Sequence, residues 1–158
     1  MANQTARNKF NIFLENDAVD FEQINANFEK LDAMCLCTES GTKAANYTGT
    51  TSGSILWRYK KYADNTVEMD VKLEFGNIKC NGGSAAPYYS GQVTVYFPFN
   101  FSDIYNIQMH MTSNTVGWVQ DITAKGSRDS VTFKVLSMTN ESVNVYKEIS
   151  LSVKGVLE

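Results

Sequence analysis

A strict two-residue alternation between residues 67 and 75 is the feature that most constrains the fold of this chain. Apolar and charged side chains take turns there, in the order Val67, Glu68, Met69, Asp70, Val71, Lys72, Leu73, Glu74 and Phe75. Successive side chains of a strand point to opposite faces of its sheet, so this pattern predicts a strand with one buried and one solvated face. Residues 55–62 are also strand-like, and Ala63-Asp64-Asn65-Thr66 favours a turn, so we expect the two strands to pair as a hairpin.

Five further segments are rich in β-branched and aromatic residues and are separated by short breaks of Gly, Asn, Ser and Thr. They are residues 92–97, 103–112, 116–123, 130–137 and 143–153. Strands at this spacing, with no helical pattern between them, are typical of a sandwich or jelly roll. The sequence therefore predicts a mainly β fold with an antiparallel β-sandwich or jelly-roll-like head.

A helical pattern precedes the strands. Asp20 followed three residues later by Gln23 is a capping box, which predicts a helix that begins near Asp20. Its apolar positions are spaced three and four residues apart, at Phe21, Ile24, Phe28, Leu31 and Cys35. An isolated helix of about 15 residues is marginal in water, so this narrow seam needs a partner, either the rest of the chain or further copies of it.

Composition divides the chain once. Residues 39–54, ESGTKAANYTGTTSGS, are rich in Gly, Ser and Thr, which is the composition of a linker. We therefore expect an N-terminal anchor and helical stem over residues 1–38, a linker over 39–54, and a β-sandwich head over 55–158. The 158 residues suffice for one core of this kind.

The overall charge argues against two classes of partner. The formal net charge is −3 and no basic run is present, so we expect neither nucleic acid nor an anionic membrane as a partner. No apolar run has the length of a membrane span, and the first ten residues lack the apolar core of a signal peptide. The chain is expected to be made in a cytoplasm.

Catalytic constellations are largely absent, and we expect no enzyme, cofactor or metal site. His110 is the only histidine and lies in Met109-His110-Met111, where a structural role competes with a metal site on a symmetry axis of three copies. A carboxylate pair for glycoside hydrolysis would have to come from Glu68, Asp70, Glu74, Asp103, Asp121 and Asp129. Strand alternation instead explains Glu68, Asp70 and Glu74 as a solvated face.

Aromatic residues beside polar loops are the best candidates for a binding site. Tyr88, Tyr89 and Trp118 offer ring faces, and Asn81, Asn114 and Asp121 offer hydrogen-bonding groups nearby. Sugar rings stack on aromatic side chains and hydrogen-bond to amides and carboxylates, so we expect these six residues to bind a glycan. The alternative is that the three rings pack inside the sandwich or between subunits.

Several segments resemble proteins of bacteriophage particles. Residues 16–32, NDAVDFEQINANFEKLD, are similar to an N-terminal stretch shared by many phage tail, baseplate and fibre proteins. Three more segments resemble the C-terminal head of phage fibre proteins: WRYKKYADNTVE at 57–68, VYFPFNF at 95–101 and SVKG at 152–155. The chain departs from that pattern at Tyr62, where Trp is usual, at Met69, where Cys is common, and at its Val-Leu-Glu end.

The resemblance implies a receptor-binding fibre of the virion tail or head, made in the host cytoplasm and without fixed catalytic residues. It implies a homotrimer whose short coiled-coil stem uses Phe21, Ile24, Phe28 and Leu31, with the N-terminal segment bound to other virion proteins. The head would attach the particle to a host-surface polysaccharide. Three alternatives stay open: a structural baseplate, neck or capsid-decoration protein, a small glycan depolymerase, and a non-viral lectin-like domain.

Overall fold

A computed structural model describes residues 3–4, 11–12, 21–76, 78–124 and 127–158 of the chain. Within these residues the helix α1 spans Phe21–Cys35. The strands described are β1 Asn3–Gln4, β2 Asn11–Ile12, β3 Cys37–Gly49, β4 Gly53–Tyr62, β5 Thr66–Phe75, β6 Tyr88–Tyr89, β7 Val93–Tyr96, β8 Phe101–Ser113, β9 Gly117–Asp121, β10 Ser130–Ser137 and β11 Lys147–Leu157. The mainly β architecture with one short helix before it is confirmed.

Nine of these strands form one antiparallel sheet. Their order across the sheet is β6-β10-β7-β3-β4-β5-β11-β8, and β9 pairs with the remaining edge of β10. The sheet curls on itself, so that the inner faces of β4, β5 and β11 share a single core with those of β7 and β10. The two layers of the predicted sandwich are therefore the two halves of one continuous sheet.

The alternating segment behaves as its sequence predicts. Val67, Met69, Val71, Leu73 and Phe75 on β5 are all buried, and the charged residues between them lie on the outer face. The predicted hairpin with residues 55–62 is also confirmed, since β4 pairs antiparallel with β5. Burial of each such side chain contributes about 1.5–3 kcal/mol relative to exposure, which makes this hairpin a main source of stability.

The linker predicted over residues 39–54 is wrong, because most of that segment is strand β3. Its register with β4 runs from Cys37 opposite Tyr62 to Tyr47 opposite Gly53, and its end also pairs with β7. Small polar side chains are tolerated here because nearly all of them face solvent, while backbone hydrogen bonds hold the strand. The sheet therefore begins at Cys37 rather than at residue 55. Independent folding of an N-terminal unit and a head stays a prediction.

The helix has the predicted position, and its apolar seam lies largely in solvent. Phe28 is 62% exposed, Leu31 is 47% exposed and Ile24 is half-buried. Asp20, the predicted cap, and the side chain of Phe21 lie outside the described part of the chain. The described residues therefore leave Phe28 and Leu31 largely uncovered and Ile24 partly covered.

The last strand begins later than its sequence predicts. Its apolar pattern starts at Val143, whereas β11 starts at Lys147, because residues 138–146 form a loop that is fastened to the core by Glu141. The sequence does not predict the short strand β6, because two residues are too few to show an alternation of apolar and polar side chains. Across the described residues, no helix has the length and apolar character needed to cross a membrane.

Candidate functional site

An aromatic row crosses three strands on the outer face of β10. The register places Tyr89 of β6 and Trp118 of β9 directly opposite Leu136 of β10, one on each side. Directly paired residues share a face of the sheet, so the three side chains stand side by side. Tyr89 and Trp118 are both 43% exposed, and Leu136 lies nearly covered between them. The sequence candidates Tyr89 and Trp118 thus meet in one place.

The same face carries a second apolar row. The backbone N–H of Met138 donates to the carbonyl of Val116 at 2.8 Å, which extends the β9–β10 ladder by one pair. Val116 is 74% exposed and Met138 is 51% exposed. We call the five side chains of these two rows the apolar strip: Tyr89, Val116, Trp118, Leu136 and Met138. Contiguous exposed apolar surface of this kind marks a binding or interaction surface.

Polar rows border the apolar strip on its other side. In the row next to Tyr89, Leu136 and Trp118, Lys134 of β10 lies opposite Gln120 of β9. The Nζ of Lys134 is 4.9 Å from the centre of the Tyr89 ring. One row further, the hydroxyls of Thr94 and Thr132 are 2.9 Å apart. Ring faces, a cation, an amide and hydroxyls therefore lie on one side of the sheet within a few residues of each other.

Glycines fix the two ends of the aromatic row. The backbones of Gly82 and Tyr89 exchange hydrogen bonds of 3.0 and 3.1 Å, and a side chain at Gly82 would collide with the Tyr89 ring. Gly83 has a φ of +92°, a conformation that side chains rarely adopt. At the other end, a side chain at Gly117 would collide with the carbonyl of Leu136. The row depends on bare backbone at both ends.

A buried ion pair fastens the loops behind the apolar strip. Lys147 Nζ and Glu141 Oε2 are 2.7 Å apart, and both side chains are at most 1% exposed. Lys147 also donates to the carbonyl of Ile78 at 3.1 Å, and the backbone N–H of Cys80 donates to Glu141 at 2.6 Å. Thr115 completes the network with a 2.9 Å hydrogen bond from its hydroxyl to Glu141 Oε1. We call this network the loop clamp: Ile78, Cys80, Thr115, Glu141 and Lys147.

The loop clamp holds the segments that flank the strip. Thr115 directly precedes Val116, and Glu141 follows Met138 by three residues. The two chain segments that carry the second row, Val116 and Met138, are therefore both attached to the loop clamp. Burial alone would raise the pKa of Glu141, but hydrogen bonds from Lys147, the Cys80 N–H and Thr115 outweigh it and lower that pKa. Burial raises the pKa of the Cys80 thiol to about 11, so it stays protonated and unreactive near neutral pH.

The other predicted site residues lie apart from the aromatic row. Tyr88 pairs with buried Ser137, is half-buried and packs against the core, so its ring does not join the outer face. Asn81 is exposed beside Gly82, at the Tyr89 end of the row. Asn114 is exposed in the loop before β9.

The side chain of Asp121 is hydrogen-bonded within a local turn at the C-terminal end of β9. Its Oδ1 accepts hydrogen bonds from the backbone N–H of Thr123 at 2.8 Å and from the Thr123 hydroxyl at 2.5 Å. The structure therefore gathers two of the six predicted binding residues in one row. Sequence reasoning missed Val116, Lys134, Leu136 and Met138, because only the pairing of distant strands brings them beside Tyr89 and Trp118.

The outer face of β4, β5 and β11 is a ladder of paired charges. Ion pairs join Arg58 to Asp70 at 3.0 Å, Lys154 to Glu68 at 2.7 Å, and Lys72 to Glu148 at 2.8 Å. The first two of these pairs border an open groove of about 550 Å³. The carboxylates Glu68, Asp70 and Glu74 thus form the solvated, cation-paired face that strand alternation predicts.

His110 lies on this polar side of the sheet. It is exposed on β8 opposite Ser150, while its neighbours Met109 and Met111 turn toward the core. Together with Gln108 and Ser152 it borders a shallow groove of about 380 Å³. Within the residues described, no cluster of three or more His, Cys, Asp or Glu side chains could hold a metal ion.

Comparisons with known proteins give one structural likeness. No protein-family model and no curated protein matches the chain. A solved structure of the C-terminal part of the P. aeruginosa R1 pyocin fibre is similar with a TM-score of 0.48 and 12% sequence identity. The match covers 98% of this chain and 41% of the fibre fragment, so the chain spans less than half of that fragment's length. Similarity at this level carries no argument about what this chain does.

Proposed function

We propose that the protein is a non-enzymatic attachment protein of a phage virion, which binds a host-surface glycan through the apolar strip. The observation that carries the proposal is the row of Tyr89, Leu136 and Trp118, which presents two half-exposed aromatic rings on one outer face. Exposed aromatic rings lose contact with water when an apolar surface covers them, and the C–H face of a sugar ring is such a surface.

The geometry of the row suits a chain of sugars. Neighbouring strands lie about 4.8 Å apart, so the backbones of Tyr89 and Trp118, separated by two strand spacings, are about 10 Å apart. That separation is close to the length of a disaccharide. A glycan that runs across the strands could place alternate rings on Tyr89 and Trp118, while Gln120 and the two threonines offer hydrogen bonds to its hydroxyls.

The sequence resemblance supports the virion setting. The segment WRYKKYADNTVE, similar to the opening of phage fibre heads, forms the β4–β5 hairpin at the centre of the sheet. The exposed seam of α1, with Phe28 and Leu31, is consistent with a stem buried against further copies. A homotrimer would present three copies of a shallow site, and such multivalency compensates for the weak affinity of each.

A glycan array probed with the wild-type protein tests this function, with Trp118→Ala and Tyr89→Ala as variants. We expect both variants to lose binding while their melting temperatures change by only a few degrees, because half-exposed rings contribute little to the core. Leu56→Ala is the matched control, since Leu56 is a 64% exposed apolar residue on β4, away from the strip. Absence of glycan binding by the wild type, or unchanged binding by both variants, would contradict the proposal.

A structural role in the virion without receptor binding is the second candidate. Val116 and Met138 favour it, because two exposed aliphatic side chains are typical of a protein interface and are not needed to stack sugars. Val116→Asp should then abolish incorporation into particles, and the wild-type protein should bind no glycan on the array. The depolymerase alternative is tested in the same preparation by looking for shortened products after incubation with host polysaccharide.

A further inference from the structure

We propose that the glycan bound by the apolar strip is anionic and that Lys134 recognises its negative charge. This inference rests on the proposed function and names the class of ligand for the same surface. Its basis is the position of Lys134 beside the strip and the absence of a carboxylate partner for it among the residues that the structure describes.

The side chain of Lys134 contacts the apolar strip. It shares the outer face of β10 with Leu136 two residues on, and its Nζ lies 4.9 Å from the centre of the Tyr89 ring. An ammonium group over a tyrosine ring is attracted by the negative face of the ring. The side chain is half-buried, so its charge is fixed at the border between the aromatic row and the polar rows.

Lys134 differs from most cations of the outer surface in having a ring rather than a carboxylate beside it. On the outer face of β4, β5 and β11, three of the four cations, Arg58, Lys72 and Lys154, have a carboxylate within about 3 Å, while Lys60 takes part in no ion pair among the described residues. In the part of the chain that the structure describes, Lys134 takes part in none of the ion pairs. The neighbouring rows contribute Gln120, Thr94 and Thr132, none of which is acidic.

Charge complementarity then selects the ligand. A neutral glycan would gain only hydrogen bonds from the Lys134 ammonium, whereas an anionic glycan would gain a local charge attraction as well. A lysine ammonium is a compact point charge with three donors, which suits a carboxylate or a phosphate equally. A uronic acid and a phosphorylated sugar are therefore the two sources of this shared chemistry.

The test uses matched pairs of glycans on one array: oligogalacturonate with its carboxyl-reduced counterpart, and phosphorylated oligosaccharides with their dephosphorylated counterparts. We expect the wild-type protein to prefer the anionic member of at least one pair by about two- to fivefold, the range for a partly exposed charge pair. Lys134→Gln should abolish this preference and Lys134→Arg should keep it. The preference should also vanish in about 1 M salt.

Lys72→Gln is the matched control, because it removes the same charge from the outer face of the same sheet and should leave the preference intact. Equal binding of both members of each pair, or a preference that persists in Lys134→Gln, would overturn the inference and leave the proposed function standing. Failure of every glycan to bind, charged or neutral, would instead overturn the proposed function as well. Trp118→Ala, measured on the same array, shows whether any observed binding uses the strip.

Discussion

Glu141 and Lys147 show at the scale of single residues how the apolar strip is supported from behind. Burying two charges carries a large desolvation cost, and the pair offsets it with a 2.7 Å contact and three hydrogen bonds to two further segments, at residues 78–80 and at Thr115. Because Thr115 directly precedes Val116 and Glu141 follows Met138 by three residues, the charged pair helps to position the second row of the strip.

Removal of one charge from the pair should destabilise the protein strongly. Glu141→Gln leaves Lys147 buried without its counter-ion, and we expect a loss of about 3–5 kcal/mol in the free energy of unfolding. Glu141→Gln combined with Lys147→Met removes both charges and should lose less than the single variant. Glu74→Gln, at an exposed ion pair, should stay within about 0.5 kcal/mol of the wild type. Urea denaturation at neutral pH measures all four proteins.

Acid should remove the contribution of the Glu141–Lys147 ion pair to the free energy of unfolding. The pKa of Glu141 in the folded protein lies below its ordinary value of 4.5, so the ionised form is favoured by folding. The stabilisation is therefore complete above about pH 4.5 and is lost as the pH falls through the lower, folded-state value. The unfolding free energy of the wild type should fall more steeply with acid below pH 4.5 than that of Glu141→Gln. Parallel curves for the two proteins would show that Glu141 is not the group responsible.

At the scale of elements, the sequence pattern predicts those strands in which buried apolar side chains alternate with exposed polar ones. The alternation of residues 67–75 gives β5 directly, and residues 130–137 match β10 at both ends. Strand β3 has no such signal, because its side chains face solvent and its backbone does the pairing. The register between strands is a second limit: Tyr89 and Trp118 are visible as exposed-type aromatics in the sequence, but only the pairing of each with Leu136 makes them neighbours.

The assignment of β3 to the sheet has a direct test in amide hydrogen exchange. If residues 39–48 pair with β4 and β7, about half of their amides donate into the ladder and should exchange at least about a hundredfold more slowly than in an unstructured peptide. The loop over residues 142–144, which is exposed and lies outside the strands, is the internal reference for fast exchange. Unprotected amides throughout residues 39–48 would restore the linker interpretation.

At the scale of the whole molecule, the chain leaves two apolar surfaces uncovered at different places. One is the seam of α1 with Ile24, Phe28 and Leu31, and the other is the apolar strip on the sheet. A coiled-coil seam is covered by identical copies in a parallel bundle, which would bring three heads, and with them three strips, into one assembly. On this view the helix decides how many sites the assembly has, and the sheet decides what each site binds.

We therefore expect the wild-type protein to be a trimer at micromolar concentration, measured by light scattering coupled to size exclusion. Ile24→Asp combined with Phe28→Asp places charges in the seam and should yield monomers with an unchanged β-type circular dichroism spectrum, because neither side chain belongs to the sheet core. Leu56→Asp, at an exposed apolar residue of the sheet, should remain trimeric. The monomeric variant should bind free oligosaccharide as the wild type does, yet lose about 10²-fold or more in binding to a glycan-coated surface, since the linked sites no longer engage together. A monomeric wild type, or a double variant that remains trimeric, would show that the seam serves a different partner.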